Sequence, residues 1–216
     1  MLTLTWAAAF TKKIGLGTSV LVLPMRHPLP LAKELATLQN LSEGRLILGA
    51  GVGWMAAEFA ALGMPFRERG RRMDEGIAMM QAVWGADPVS FPARHIPAII
   101  EEMRMLPQPV KPIPIWIGGS SEPALARAVR FADGWHGSRL TPEAAAPIVR
   151  WLREKRPAPI SLRYGWDGKD YGALAARLAA YGAAGVEHVL VEPTERALDD
   201  WLRAVEQIAG VAGSMR

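Results

Sequence analysis

Three hydrophobic runs in this chain each end on a cluster of small residues, and each is followed by a segment with a helical pattern. The runs occupy residues 14–23, 45–53 and 114–120. A near-continuous apolar run without alternation is typical of a strand buried in a parallel sheet. Glycines at the end of such a strand let a ligand approach the backbone, and the next helix offers N-terminal N–H groups to an anion. The sequence therefore predicts an α/β protein that binds a phosphate-bearing ligand at the carboxyl ends of its strands.

Composition limits the class of protein. The chain has 216 residues, of which 50% are hydrophobic and 21% charged, so it can bury a core and is not disordered. We expect a single domain over residues 1–216. The chain contains no cysteine, which excludes disulfides and thiolate sites, and no apolar run approaches the ~20 residues of a membrane helix. No basic region precedes the apolar start, so we expect a cytoplasmic protein without membrane attachment.

The formal charge of +4 raises the question of nucleic acid as a partner. The arginines are dispersed, and the one tight cluster, at residues 67–72, is typical of a solvated helix start. No recognition helix, RNA-binding motif or zinc finger accompanies it. Mild basicity suits an anionic small molecule instead, and we expect no nucleic-acid partner.

Strands and helices alternate along the chain. Strands are predicted at 14–23, 45–50, 112–117, 133–137, 158–164 and 187–192. Helices are predicted at 2–13, 31–42, 55–62, 70–85, 122–132, 142–155, 171–184 and 196–208. The proline-rich segment from 87 to 112 is read as irregular, with a short hairpin around 90–95. About six strand–helix units in strict alternation imply parallel strands with right-handed crossovers, in either an open doubly wound sheet or a (β/α) barrel.

The glycine cluster at residues 49–54 lies between a strand and a helix, as a dinucleotide-binding turn does. Its spacing is G-x-G-x-G rather than G-x-G-x-x-G, and no acidic residue ends a following strand at the expected distance. The Walker A pattern is absent as well. A standard dinucleotide fold is therefore disfavoured.

Two other clusters are candidates for ligand contact. Gly118, Gly119 and Ser120 close a strand before a predicted helix, and they suit either an anion nest or a plain helix N-cap. Thr18, Ser19 and Val20 interrupt an apolar strand. They are read either as a buried hydroxyl or bulge, or as a wall for a planar ring system.

The histidines give weaker signals. They lie at positions 27, 95, 136 and 188, with no pair at ligand spacing, so we expect no metal site. His27 follows the first strand and His136 lies at a strand end, where either can face a pocket. Neither a Ser–His–Asp order nor a paired-carboxylate pattern is present. The residues alone thus indicate a phosphate-bearing cofactor and assign no acid or base.

Taken together, several segments resemble the bacterial luciferase-like monooxygenase family, especially its coenzyme F420-dependent branch. The matching segments occur in the family's order, and coverage is strong from about residue 2 to 135 and thinner beyond. They are residues 14–24, 31–38, 42–54 with Glu58 and Phe59, 112–119 and 132–135.

The resemblance implies a (β/α)₈ barrel of the TIM-barrel type with a flavin or deazaflavin at the C-terminal strand ends. The family's non-prolyl cis peptide, which abuts the ring, maps onto Ser19 and Val20, with Thr18 beside it. Gly51 and Gly53 match the turn near the ring. The phosphate-binding turn maps onto Gly118 and Gly119, with Ser120 following.

The chain is short relative to this family, because counterparts of the first two strands and the first helix, about 50 residues, are missing. We therefore expect an incomplete barrel of about six of the eight strand–helix units. In relatives the missing strand ends supply much of the substrate pocket, including an acidic–histidine pair. Three explanations stay open: a fragment or internal start, a homodimer that covers the gap, or a protein that has lost catalysis.

The resemblance favours an oxidoreductase or monooxygenase of the luciferase-like class that uses F420, or alternatively FMN, on an unknown small organic substrate. The cofactor would perform the chemistry, and the protein would orient it. His27 and His136 are the weak candidates for proton transfer. The alternatives are a non-catalytic flavin or deazaflavin binder or a degenerate barrel protein, and an unrelated phosphate-binding barrel or Rossmann-like enzyme. We also expect a homodimer.

Overall fold

The structure is a computed structural model that describes residues 1–167, 169–195 and 197–214. It divides into two compact units, a first unit Met1–Gly118 and a second unit Gly119–Arg216. The single domain predicted for residues 1–216 stays a prediction. Arg196, where the last helix is predicted to begin, lies outside the described residues, as do the last two residues of the predicted domain.

The first unit combines four helices with parallel strands. The helices are α1 Leu2–Phe10, α2 Pro28–Leu41, α3 Ala56–Ala61 and α4 Arg69–Gly85. The strands are β1 Leu16–Gly17, β2 Leu21–Val22, β3 Leu46–Gly51, β4 Val89–Phe91, β5 Ile100–Met103 and β6 Ile115–Gly118. Strands β1, β2 and β6 all pair with β3 in parallel, which confirms the parallel arrangement predicted here.

The first predicted strand is interrupted. Residues 14–23 contain two short strands, β1 and β2, which pair with successive parts of β3 while Thr18, Ser19 and Val20 lie between them. The preceding helix α1 ends at Phe10, before the lysines that the sequence placed in it. The Arg45 guanidinium closes this helix end by donating to the carbonyl oxygens of Ala8 and Thr11 at 3.2 and 2.9 Å. The Arg45 side chain, just ahead of β3, therefore connects α1 to the sheet.

Helices α2 and α4 pack together to form the core of the first unit. The helical spacing of Leu31, Leu35, Leu38 and Leu41 predicts one buried face of α2; the first three are buried, but Leu41 is 61% exposed. The same spacing in α4 predicts a packed stripe of four residues. Ile77, Met80 and Val83 of this stripe are buried, and Trp84 is half-buried.

Gln39 is a fully buried polar side chain that joins α2 to two strands. Its amide nitrogen donates to the carbonyl oxygens of Lys111 and Pro112 at 3.3 and 3.1 Å, just ahead of β6. Its amide oxygen accepts from the backbone N–H of Leu46, the first residue of β3, at 3.0 Å. Because the buried amide is well supplied with partners, it fixes where the two strands begin at little cost in desolvation.

The segment from 87 to 112 holds an antiparallel strand pair. The prediction of a short hairpin around 90–95 is right in kind, but β4 pairs with β5, whose residues lie beyond that range. The carboxylate of Glu75 holds the connecting loop. It accepts hydrogen bonds from the backbone N–H groups of Arg94, His95 and Ile96 at 2.5, 2.7 and 2.7 Å.

The second unit alternates strands and helices in the order that the sequence predicts. Its helices are α5 Glu122–Phe131, α6 Pro142–Lys155, α7 Tyr171–Ala183 and α8 Leu198–Ser214. Its strands are β7 Gly134–Ser138, β8 Ile160–Trp166 and β9 His188–Pro193. Strand β8 pairs in parallel with β7 and with β9. A core cluster of Trp166, Leu174 and Ala204 packs α7 and α8 against these strands.

Six parallel strand positions result among the described residues, if β1 and β2 are taken as two parts of one interrupted strand. This matches the predicted number of strand–helix units. Within the same residues, none of the helices is both long enough and apolar enough to cross a membrane.

Candidate functional site

The interruption between β1 and β2 fits against glycines at the ends of β3 and β6. A Cβ atom added to Gly51 would lie 2.6 Å from Val20 Cγ2, and one added to Gly118 would lie 2.9 Å from Val20 Cγ1. A Cβ atom on Gly49 would be 3.4 Å from Val20 Cγ1 and would overlap the carbonyl oxygen of Thr18. The Val20 side chain therefore occupies the space that a side chain at Gly51 or Gly118 would need, and the Thr18 carbonyl oxygen occupies that space at Gly49.

Thr18 and Ser19 complete this segment. The Thr18 hydroxyl donates to the carbonyl oxygen of Gly49 at 2.7 Å, which confirms the prediction of a hydroxyl bonded to backbone. The peptide bond between Ser19 and Val20 is cis, as the family resemblance implies. Thr18, Ser19 and Val20 are all half-buried, so part of the segment faces solvent.

Gly53 lies in the loop after β3. Its φ of +76° is in the left-handed region, and a Cβ atom there would lie 2.6 Å from Val22 Cγ1 and 3.0 Å from the Phe59 ring. The position therefore requires glycine for both its conformation and its neighbours. It brings the turn after β3 against β2 and α3.

The turn from β6 into α5 contains the three residues predicted to bind phosphate. Gly118 ends β6 and is half-buried, Gly119 has a φ of +108°, and Ser120 is exposed. Ser121 takes the N-cap position of α5, but its hydroxyl makes no capping hydrogen bond. The side-chain cap is thus not formed, and the exposed serines precede the N–H groups of the first helical turn.

These observations change one interpretation of the glycines. The sequence suggests that glycines at strand ends let a ligand approach the backbone. The structure shows that Gly49, Gly51 and Gly118 instead accommodate the protein's own segment from Thr18 to Val20. A ligand at this place would therefore contact the segment from Thr18 to Val20 and not the glycines behind it.

His27, one of the two proton-transfer candidates, has a structural role at the start of α2. It is the N-cap residue of α2, where its Nδ1 accepts from the backbone N–H of Leu29 at 3.3 Å. Its Nε2 lies 3.4 Å from the carbonyl oxygen of Pro97. Both ring nitrogens of His27 therefore have backbone partners.

His136, the other candidate, belongs to a chain of side chains across three strands. Its Nδ1 lies 2.8 Å from the hydroxyl oxygen of Ser161, which lies 2.8 Å from Nδ1 of His188. The strand register pairs His136 with Ser161, and Ser161 with His188. These three residues therefore occupy one level of the parallel sheet formed by β7, β8 and β9.

The surroundings of His136 keep it uncharged at neutral pH. Burial, with added repulsion from His188 and Arg163, lowers the pKa of His136 from 6.5 to about 4. Burial also lowers the pKa of His188. Arg163 lies two residues beyond Ser161 on β8, and its Nε is 3.5 Å from Oε2 of Glu192. Desolvation is the first cause for both histidines, as expected for imidazoles removed from water.

The predicted site residues fall into three groups. Thr18 and Val20 are brought against Gly51 and Gly118, and Gly119 and Ser120 follow directly in the chain. His27 caps a helix, and His136 lies in the hydrogen-bonded chain of the second unit. The sequence analysis did not single out Ser161 and assigned no role to His188, although one of these three polar residues lies in each of three successive predicted strands. No group of three or more potential metal ligands is found within residues 1–167, 169–195 and 197–214.

Comparison with known sequences identifies relatives of this chain. An uncharacterized protein of Mycobacterium tuberculosis is 35% identical over 151 residues, which are 69% of this chain and 51% of the relative. An F420-dependent glucose-6-phosphate dehydrogenase of Beutenbergia cavernae is 37% identical over 133 residues, 60% of this chain and 39% of that protein. The chain thus spans about half the length, or less, of these curated relatives.

Comparison with solved structures establishes the fold. An F420-dependent secondary alcohol dehydrogenase in complex with an F420–acetone adduct has a TM-score of 0.80 at 15% identity, over 95% of this chain and 82% of its own. A type II Baeyer–Villiger monooxygenase of Pseudomonas putida in complex with FMN has a TM-score of 0.65 at 21% identity, over 85% and 57%. The fold is the incomplete (β/α) barrel of TIM-barrel type that the sequence predicts, not an open doubly wound sheet.

The family assignment comes from a comparison over most of the chain. The model of a family described as luciferase-like monooxygenase matches residues 1–162. This range includes β1 to β7 and the segment from Thr18 to Val20, so the match covers the glycine-lined part of the site. The chain therefore belongs to the luciferase-like monooxygenase family.

Proposed function

We propose that this chain binds coenzyme F420, with FMN as the alternative, and acts as an oxidoreductase on a small organic substrate. The observation that carries the proposal is the packing of the segment from Thr18 to Val20. It lies so close to glycines of β3 and β6 that a side chain at those positions would clash with it. A segment fixed in this way is a preorganised surface, which a planar ring needs on one side. When bound, the reduced cofactor supplies a hydride.

The residues present fit such a cofactor. Thr18, Ser19 and Val20 are half-buried and would face the ring, with Gly51 and Gly53 shaping the turn beside it. Gly118, Gly119 and Ser120 would hold a phosphate at the start of α5, because N–H groups in a helix's first turn and its dipole favour anions. The chain's own work is to bind, orient and shield the ring from water.

The relatives support F420 over FMN without deciding between them. The Beutenbergia cavernae relative and the alcohol dehydrogenase structure are both named as F420-dependent, whereas the monooxygenase structure contains FMN. All three carry the names of enzymes. This favours a catalytic function over a non-catalytic binder with a degenerate barrel.

Of the two proton-transfer candidates, we favour His136. A hydride transferred to or from a substrate oxygen-bearing carbon requires a matching proton, and a neutral imidazole can accept or pass one. His136 is neutral at physiological pH because burial lowers its pKa to about 4. His27 would have to give up its capping bond to Leu29 in order to act.

We also propose that two copies of the chain associate through α1. Leu2, Trp6 and Phe10 of this helix are 88%, 68% and 72% exposed, and the Trp6 and Phe10 rings are 4.6 Å apart. An exposed apolar face of this kind is typical of an interaction surface. A cytoplasmic location completes the proposal, and the absence of cysteine from the chain is compatible with it.

Titration of the purified protein with F420 and with FMN, followed by fluorescence, tests the cofactor. We expect saturable binding in the micromolar range, tighter for F420. Gly118→Ala should weaken it about tenfold, or about 1.4 kcal/mol, because the new methyl group displaces Val20. Gly85→Ala is the matched control, since a Cβ atom there meets nothing within 4 Å.

Val20→Ala provides a second variant in case Gly118→Ala fails to fold. It removes part of the ring-facing segment without adding a clash, so binding should weaken while the protein stays folded. Absence of micromolar binding of either cofactor to the wild-type protein would exclude the proposed function.

A further inference from the structure

Three side chains on neighbouring strands of the second unit form a continuous hydrogen-bonded chain. The two links, from His136 Nδ1 to the Ser161 hydroxyl oxygen and from there to His188 Nδ1, both measure 2.8 Å. The inner end is buried, because His136 is only 5% exposed, whereas His188 is an exposed residue. The hydrogen-bonded side chains therefore lead from the interior of the unit to its surface.

The chemistry of the three groups permits two mirror-image arrangements. A hydroxyl donates one hydrogen and can accept another, and a neutral imidazole carries its proton on one nitrogen only. Either His188 donates from Nδ1 to Ser161 while Ser161 donates to His136, or both directions are reversed. Because the two links are equal in length, the geometry favours neither arrangement.

We propose that His136, Ser161 and His188 form a proton relay that connects the buried imidazole of His136 to solvent at His188. No cofactor takes part in the relay itself. It consists of imidazole and hydroxyl groups that exchange protons along existing hydrogen bonds.

One passage through the relay is balanced. A solvent proton adds to Nε2 of His188, whose Nδ1 proton moves to the Ser161 oxygen. Ser161 passes its original proton to Nδ1 of His136, and His136 releases the proton of its Nε2. One proton enters, one leaves, and the hydrogen bonds end in the mirror-image arrangement.

The surroundings of His136 favour release of a proton over its retention. Burial opposes a positive charge on His136 most strongly, and the His188 imidazole and the Arg163 guanidinium oppose it further, so the pKa of His136 lies well below neutrality. Glu192 on β9 pairs with Arg163 at 3.5 Å and moderates its charge. A proton that reaches His136 is therefore passed on instead of being retained.

The use of this relay rests on the proposed function. Hydride transfer in either direction produces or consumes one proton, and a buried imidazole connected to solvent meets that need. Within that function His136 would be the group that exchanges the proton, and Ser161 and His188 would be positioning residues that act through it.

Proton exchange in the resting protein tests the relay without cofactor. With ¹⁵N-labelled histidine, nuclear magnetic resonance reports the tautomer of each ring and the exchange of its N–H proton with solvent. We expect Nδ1 shifts of His136 and His188 that lie between those of the two tautomers, and rapid exchange at His136 despite its burial. Ser161→Ala and His188→Gln should each slow that exchange about tenfold or more.

Two further variants separate a relay from a merely structural hydrogen bond. Ser161→Thr keeps a hydroxyl and should restore exchange at His136 to within a few-fold of wild type. His95→Gln changes an exposed histidine that is not part of the relay, and it should leave the tautomers and the exchange rate of His136 unchanged. Fixed single tautomers at both rings, or exchange at His136 that is indifferent to Ser161→Ala and His188→Gln, would overturn the proposal.

A second experiment connects the relay to turnover. If the wild-type protein oxidises or reduces a substrate with F420, Ser161→Ala should lower kcat about tenfold and change its pH profile, while KM stays close to wild type. Ser161→Thr should rescue kcat. A wild-type protein without F420 binding refutes the proposed function, and the exchange measurements still decide the relay.

Discussion

The parallel strands of the two units are joined in different ways near the candidate site residues. In the first unit the isopropyl group of Val20 lies where Gly51 and Gly118 have no side chains, and the Thr18 carbonyl oxygen lies against Gly49. In the second unit, hydrogen bonds between polar side chains connect three adjacent strands. The first arrangement depends on volume and is indifferent to pH, whereas the second tolerates modest changes of volume and depends on protonation.

The largest effect we predict tests the volume side of this comparison. Gly49→Ala should lower the free energy of unfolding by about 3 kcal/mol or more, because the added Cβ atom overlaps the Thr18 carbonyl oxygen and the backbone has to move. Urea denaturation measures the loss. Gly85→Ala, with no atom near the new methyl group, should cost little, and equal losses in the two variants would contradict the packing described here.

The next effect tests the protonation side. The pKa of His136 is about 4 in the folded protein against an ordinary value of 6.5, so the unfolded chain takes up its proton first as the pH falls. Stability should therefore decline between about pH 6.5 and pH 4 and then level off. At 1.36 kcal/mol per pKa unit the loss is about 3 kcal/mol, with His188 contributing in the same direction.

Denaturation at a series of pH values measures this decline. His136→Gln should flatten it, because glutamine does not titrate, whereas His95→Gln should leave its slope unchanged. A decline of the same size in all three proteins would assign the pH dependence to other groups.

The smallest effect asks whether Val20 is what the glycines accommodate. Gly51→Ala alone should cost about 2 kcal/mol, since its Cβ atom would lie 2.6 Å from Val20 Cγ2. Val20→Ala alone should cost about 1–2 kcal/mol through lost packing. The double variant should cost about 1 kcal/mol less than the sum, because alanine at position 20 makes room for the new methyl group. If the losses of the two single variants simply add up in the double variant, the contact between Val20 and position 51 does not account for the cost of Gly51→Ala.

Much of the fold could be predicted from local patterns. The buried positions of α4, strand β3 and strands β6 to β9 have periodicities and approximate boundaries that the sequence displays, whereas β4 and β5 lie in a segment read as irregular. The polar residues Thr18 and Ser19 mark an interruption within residues 14–23, but the sequence pattern leaves open whether it is a bulge or a ligand wall. How the segment packs could not be predicted in this way, because it depends on glycines more than 30 positions away. Only the family resemblance pointed to the cis peptide bond between Ser19 and Val20.

The candidate site was predicted unevenly for the same reason. Glycine clusters are visible in the sequence, but whether they face a ligand or another part of the chain depends on tertiary packing. His136, Ser161 and His188 are separated by 25 and 27 residues, so no motif unites them. Their alignment follows from strand register, which a sequence specifies only through the whole sheet.

The buried amide of Gln39 has a consequence for how this molecule can change over evolutionary time. All three of its bonds go to main-chain atoms, at Leu46, Lys111 and Pro112. Residues at those three positions can therefore drift without disturbing the contact, while position 39 itself has little freedom. A glutamate there would place an acceptor against two carbonyl groups. A single side chain thus fixes the alignment of two strands, and the residues that it contacts in or near those strands are comparatively free to vary.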